Sequence, residues 1–277
     1  MWEVCVSEGS VQRPLPVSPH IDTSVSHSAR IWDYWLGGKE NYPVDQELGD
    51  QIAATLPDIV EQARADRAFL GRVVRFAVER GIDQFLDVGT GLPTASNTHE
   101  VAQRLNREAR VVYVDNDPLV LAHARALLAS TPEGRTAYLD ADMYDPVDIL
   151  ERAGETLDYS RPVAVTMLGV LWHVLDDDTA KAIVQTLLGA LAPGSLLAVA
   201  HPTIEVTGTK MADAIEQWNL FGKPPGRWRS PQQLALLFDG LELVEPGIVS
   251  CPLWRPDVGA DIAPIDQYGG VGILPEV

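Results

Sequence analysis

The sequence predicts an open α/β domain, a parallel sheet with helices on both faces. Three observations carry that prediction. From Gln84 onward short apolar runs recur, helix-forming stretches separate them, and the runs end in glycine or an acid. Continuous rather than alternating apolar runs mark strands buried on both faces. Helical crossovers between them require parallel pairing.

Each element follows in order. Residues 1 to about 20 mix Ser, Pro and Val without periodicity and read as a mobile extension. Residues 21–80 read as an N-terminal helical cap: Asp22 to Pro43 is dense in aromatics around Gly37-Gly38. From Pro57 to Arg80 the positions Val60, Ala63, Leu70, Val73, Val74 and Ala77 recur as on one helix face, and Gly81 supplies the stop. Residues 81–277 read as a Rossmann-like core. Its strands are Gln84–Val88, Val111–Val114, Thr136–Leu139, Pro162–Leu171 and Leu196–Ala200. Helices are expected over about Thr94–Asn106, Pro118–Ala129, a short piece after Pro146, Thr179–Leu191, Met211–Phe221 and Ser230–Phe238. Insertions near 203–231 interrupt the rhythm, and Leu241–Val249 and about Tyr268–Leu274 read as an antiparallel pair with no helix between them. Neither an internal repeat nor a linker stands out, so residues 21–277 form a single domain.

Composition narrows the function. In 277 residues, 21 Lys and Arg face 39 Asp and Glu, a net charge of −18, which argues against a nucleic-acid backbone as partner. Cys5 and Cys251 are the only cysteines, which supports neither a disulfide framework nor a structural zinc, and no metal is expected. The first ten residues hold two acids and no basic residue, unlike a secretory leader, and Val163 to Trp172 is about half a bilayer span. The expected setting is cytoplasmic, with no membrane partner.

The chemistry gathers at strand ends, where ligands bind in open α/β sheets. The first strand ends Asp87-Val88-Gly89-Thr90-Gly91, whose glycines permit a tight turn and close approach to backbone N–H groups. Asp115 closes the second strand 24 residues after Gly91, where an acid accepts from an adenosine ribose, with Asn116 beside it. Asp142 closes the third, with Met143 able to cover an adenine ring. Any one of these is as well explained by a turn or a helix cap; three on successive strands favour an adenosine-bearing cofactor. The dinucleotide fingerprint wants a third small residue where this chain has Thr94. Asp87 would repel a pyrophosphate but suits an ammonium and a sulfonium, which favours S-adenosylmethionine.

Several stretches resemble one family: His27 to Asn41 (HSARIWDYWLGGKEN), Phe85 to Thr94, Val111 to Pro118, Thr131 to Asp142 and Tyr268 to Gly272. The chain resembles class I S-adenosylmethionine-dependent methyltransferases, and more closely the bacterial family named S-adenosyl methyltransferase. The resemblance implies a seven-stranded sheet with its last strand antiparallel. It implies that Asp87, Gly89, Thr90 and Gly91 hold the methionine part, Asp115 and Asn116 the ribose, and Asp142 and Met143 the adenine. Pro93 stands where many such enzymes have a third glycine.

The fourth strand's end would face the acceptor, making His173 a candidate general base and Trp172 a substrate contact. His201 at the fifth strand's end is a second candidate, and Trp218 in the later insertion suggests an aromatic or apolar acceptor. Arg30 and Tyr34, with Lys39, Trp32 and Trp35, read either as a lid in which an Arg pairs with the methionine carboxylate or as a helix whose aromatics pack on the core. Asp176 to Asp178 read as acids at a helix N-terminus rather than as a metal site. The expected function is methyl transfer to a small molecule. A non-methylating or regulatory role with the same ligand, and an NAD-linked oxidoreductase, stand as rivals.

Overall fold

The structure, a computed structural model, describes residues 21–93, 96–127, 130–257 and 262–276, without the side chains of residues 124–127. The extension expected over residues 1–20 lies outside this range, as do Thr94 and residues 128–129 of the two expected helices.

Two layers of helix enclose one sheet. The chain runs β1 (Ser26–His27), α1 (Ser28–Trp35), α2 (Pro43–Thr55), α3 (Ile59–Glu79), β2 (Gln84–Val88), α4 (Thr98–Leu105), β3 (Arg110–Asp115) and α5 (Pro118–Leu127). It continues β4 (Arg135–Asp140), α6 (Pro146–Ala153), β5 (Ala164–Leu168), a 3₁₀ turn (Leu171–His173), α7 (Asp177–Gly189) and β6 (Leu196–Pro202). The end comprises α8 (Thr209–Phe221), β7 (Gly222–Lys223), α9 (Pro231–Ala235), β8 (Glu242–Leu243), β9 (Val249–Ser250) and β10 (Gln267–Ile273).

The sheet order is β4-β3-β2-β5-β6-β10-β8, with the short β9 also pairing β10. The strands from β2 to β6 pair in parallel, and β10 is antiparallel to β6 over seven residue pairs. β2 therefore has β3 on one side and β5 on the other. That reversal of direction is the topological switch point, and it opens a crevice beyond the strand ends.

Period-two alternation buries both faces. Leu86, Val88, Val112, Val114, Val165 and Met167 pack on one side with α6, α7 and α9. Phe85, Val111, Tyr113, Ala164 and Ala198 pack on the other with α3 and Trp254. Trp254 is fully buried, edge-on to Phe69 and Phe76 of α3. A third cluster joins α1, α2 and α8 into the cap through Ile31, Trp35, Leu48, Ile52 and Trp218.

Two strand expectations change. Pro162–Leu171 shortens to Ala164–Leu168, with Leu171 already in the 3₁₀ turn. Leu241–Val249 is not continuous: only Glu242–Leu243 and Val249–Ser250 pair with β10, because Pro246 has no N–H to donate and Gly247 turns with φ 86°. The glycine pair of the cap has a steric reason: a Cβ on Gly38 would lie 1.9 Å from Asp33 Oδ1. Asp33 instead accepts from the Glu40 N–H and the Asn41 amide, both at 2.8 Å.

Candidate functional site

At the end of β2 the chain turns through Gly89 (φ 76°) and Gly91 (φ 66°). L side chains rarely adopt that region. The Gly89 N–H donates to the Val114 carbonyl at 2.8 Å, and the Gly91 N–H donates to Asp115 Oδ2 at 2.8 Å. The turn is thereby fastened to β3, and a Cβ on Gly89 would come within 2.3 Å of Val170.

Asp87 shares the pleat of Phe85 and so is buried under α3 and α4. Its Oδ2 accepts from Thr98 Oγ1 at 2.6 Å and its Oδ1 from Thr166 Oγ1 at 2.9 Å. Burial raises its pKa, opposed by the two hydroxyls and the Arg67 charge. Asp115 Oδ1 accepts from the Asp117 N–H at 2.9 Å, and burial raises its pKa too. Asp142 Oδ1 accepts from the Tyr144 N–H at 3.0 Å. Each acid therefore sits in a fixed turn at its strand end.

A cavity of about 830 Å³ opens beyond these strand ends. Asp87, Gly89, Thr90, Gly91, Asp115, Asn116, Asp142 and Met143 all line it, as does His173 on the opposite side. Its roof comes from distant parts of the chain: Ser28 and Trp32 of α1, and Lys223, Pro224 and Pro225 after α8. The roof pieces are joined by β1 pairing with β7.

His173 bridges the two roof segments. Its Nδ1 is 3.0 Å from the Pro225 carbonyl and its Nε2 is 3.1 Å from Ser28 Oγ. A carbonyl accepts only, so Nδ1 carries the proton and Nε2 accepts from the serine. Burial lowers the pKa to about 4, and the ring is neutral at physiological pH.

The structure does not bring five expected residues to this cavity. Arg30 is buried in an ion pair with Asp45 (3.0 Å) and donates to the Asp22 carbonyl at 2.9 Å and to the Val25 carbonyl. Tyr34 donates from its hydroxyl to Asp50 at 2.7 Å, away from the strand ends. His201 is fully buried between the Pro202 carbonyl (2.9 Å) and Arg229 (2.8 Å), where burial and the guanidinium lower its pKa to about 3. Trp172 and Trp218 pack together, ring centroids 5.3 Å apart, around a smaller chamber beside the main one. The acids at the start of α7 are structural: Asp176 caps the helix through the Thr179 N–H (2.7 Å), and Asp177 pairs with Arg229 at 2.8 Å.

Besides the roof residues, two charged cavity residues on α3 escaped sequence reasoning. Arg67 lines the cavity with its Nη2 at 3.3 Å from the Ser96 carbonyl and 3.4 Å from Asn97 Oδ1. Its buried Nε has no partner among the described residues. Asp66 accepts from Gln267 Nε2 at 2.8 Å, and burial raises its pKa to about 6. A signal was present: Gln62 and Asp66 continue, at helical spacing, the apolar stripe of Phe69 and Val73. Polar residues on a buried stripe are there for a reason other than packing. Among the described residues no three His, Cys, Asp or Glu side chains cluster to hold a metal, and no helix is long and apolar enough to cross a membrane.

The sheet order, the antiparallel β10 and the crevice at the reversal define the class I methyltransferase fold. The chain belongs to the S-adenosyl methyltransferase family, whose model matches residues 15–275. A DUF574-family protein from Streptomyces avermitilis is 46% identical, with 92% of this chain and 100% of that chain covered and a TM-score of 0.88. A methyltransferase candidate from Thermobifida fusca is 39% identical, covering 96% and 100%, with a TM-score of 0.85. Magnesium protoporphyrin IX methyltransferase from Synechocystis, solved with bound S-adenosylhomocysteine, shares the fold alone: 14% identity, 88% and 92% covered, TM-score 0.53. Among curated proteins none matches the chain.

Proposed function

We propose that the chain binds S-adenosylmethionine in the 830 Å³ cavity and passes its methyl group to a small-molecule acceptor. One observation carries this reading: three carboxylates from successive strand ends and a double-glycine turn line one cavity at the switch point. The residues fit the ligand on steric and electrostatic grounds. Gly91 borders open space that a Cβ would enter, Asp87 offers a carboxylate to the ammonium, and the unpartnered Arg67 Nε offers a donor to the carboxylate. Arg67 thus takes the role first expected of Arg30. Asp115 retains lone pairs for a ribose diol, and Asp142 with Met143 serves the adenine.

When bound, the sulfonium supplies an electrophilic methyl group and a neutral thioether leaving group. The chain's own work is positioning and exclusion of water. Ser28, Trp32 and Pro224 roof the cavity, and His173 ties the two roof segments together through its two ring nitrogens. A neutral His173 with a pKa of about 4 is a weak base, so its contribution is to hold the roof. Asp66, which lines the cavity with a pKa of about 6, is the stronger base where the acceptor must lose a proton. A cavity of this size suits one adenosyl ligand and a small acceptor, and the acidic surface disfavours nucleic acid.

Thermal unfolding with saturating S-adenosylmethionine, S-adenosylhomocysteine and NAD tests the reading. A ligand at about a hundred times its Kd stabilises by roughly 2.7 kcal/mol, or about 5–10 °C for a chain of this size. The two adenosyl ligands are expected to raise the midpoint and NAD to leave it unchanged. A shift with NAD alone overturns the proposal.

A further inference from the structure

Beside the main cavity lies a chamber of about 50 Å³, walled by Trp32, Trp35, Trp172, Trp218 and Met211. Trp32 and Gly169 line both spaces, so the chamber adjoins the cavity at the end of β5. None of its lining residues is ionisable at neutral pH. Its polar side chains are Gln62 and Gln267: Gln267 gives its amide N–H to Asp66 at 2.8 Å, whereas Gln62, 2% exposed, has neither amide atom hydrogen-bonded among the described residues. An orphaned buried donor and acceptor are each costly, by about 1–3 kcal/mol. Such a pair persists where a ligand satisfies it.

We propose that this chamber receives the methyl acceptor, and that the group it reads is an uncharged planar one with a hydrogen-bond donor beside an acceptor, as in a cyclic amide. The inference rests on the functional reading above and adds the acceptor's class to it. The Gln62 carboxamide donates and accepts in one plane, matching a cis-amide edge with two parallel hydrogen bonds. Tryptophan rings offer flat faces to a planar group. A cation would also suit tryptophan faces, but no carboxylate lines the chamber to balance its charge. A carboxylate ligand fails likewise for want of a cation. Three or four trapped waters would fit by volume, yet indole walls give them few partners.

The test uses the full chain and 2-pyridone as probe, followed by ligand-observed NMR and tryptophan fluorescence, with S-adenosylhomocysteine binding measured separately by calorimetry. 2-Pyridone is expected to bind, N-methyl-2-pyridone about tenfold or more weaker, and tetramethylammonium not at all. Gln62→Leu is expected to weaken 2-pyridone at least tenfold while leaving S-adenosylhomocysteine affinity as in the parent. Equal affinity for the two pyridones, preference for tetramethylammonium, or no binding of any probe to the parent overturns the inference. The pyridone comparison needs no variant, so a Gln62→Leu chain that fails to fold does not shield it. Loss of S-adenosylhomocysteine binding by the parent, by contrast, removes the cofactor reading while the probe result still judges the chamber.

Discussion

Arg30 and Arg67 show how much a side chain's partner decides. Both are arginines in the cap, yet Arg30 spends its donors on Asp45 and two carbonyls, whereas Arg67 keeps its Nε unpaired on the cavity wall. Sequence proximity to the aromatic motif favoured the first, since nothing local reveals that Asp45, fifteen residues on, claims it. If Arg67 meets the methionine carboxylate, Arg67→Ala weakens S-adenosylhomocysteine by about 10–100-fold, the range for hydrogen bonds to charged groups. 5′-Methylthioadenosine, which lacks the amino-acid end, is expected to bind the variant within about twofold of the parent. Calorimetry with both ligands checks this, and equal losses for both would instead mean a damaged pocket. The strand-end acids were legible because each closes an apolar run, and the turn glycines because their spacing is local. His201 closes such a run as well, but the strand continues to Pro202 and Arg229 draws the ring into the core.

At the scale of elements, the segment from Leu171 to Asp177 shapes one wall of the cavity, and a single buried side chain fastens it. Arg229, just before α9, donates to the Leu171 carbonyl (2.9 Å), the Val174 carbonyl (2.6 Å) and Asp177 (2.8 Å). Replacing it with Met takes the buried donor from the two carbonyls, a loss of about 3–5 kcal/mol, while Asp177, whose side chain is 36% exposed, turns to water and adds little. Thermal unfolding of Arg229→Met is expected to show a midpoint lowered by about 6–20 °C. A drop below 2 °C would mean that water serves the same carbonyls. Elements of this kind were only half visible in the sequence. The helices and parallel strands were legible because their hydrophobic period is set by the buried sheet. The clamp was not, because Arg229 sits in a Pro- and Gly-rich loop whose partners lie more than fifty residues away. Gln62 and Asp66 were hidden differently, inside a helix read only for its apolar face.

For the molecule as a whole, Asp66 links the site to global stability. Its folded pKa, about 6, stands above the ordinary 3.8, so the protonated form suits the fold. The stability it contributes is fully present below pH 3.8 and is lost as pH rises through about 6. Asp66→Asn keeps the acceptor for Gln267 and removes the titration. Its midpoint is expected to exceed the parent's by several degrees at pH 8 and to converge with it near pH 4, a gap of order 1–3 kcal/mol. Unfolding scans across that range check the sign, and a gap that widens toward low pH would refute it. The sheet order carries a last consequence, for synthesis. β10 follows β6 by more than sixty residues, yet slots between β6 and β8 and covers β6 along seven pairs. A chain emerging from the ribosome N-terminus first therefore holds β6 with a bare edge until residue 273 is out. The roof needs β7 as well, so vectorial folding leaves the cavity unfinished until residues 222–225 have followed the strands that floor it.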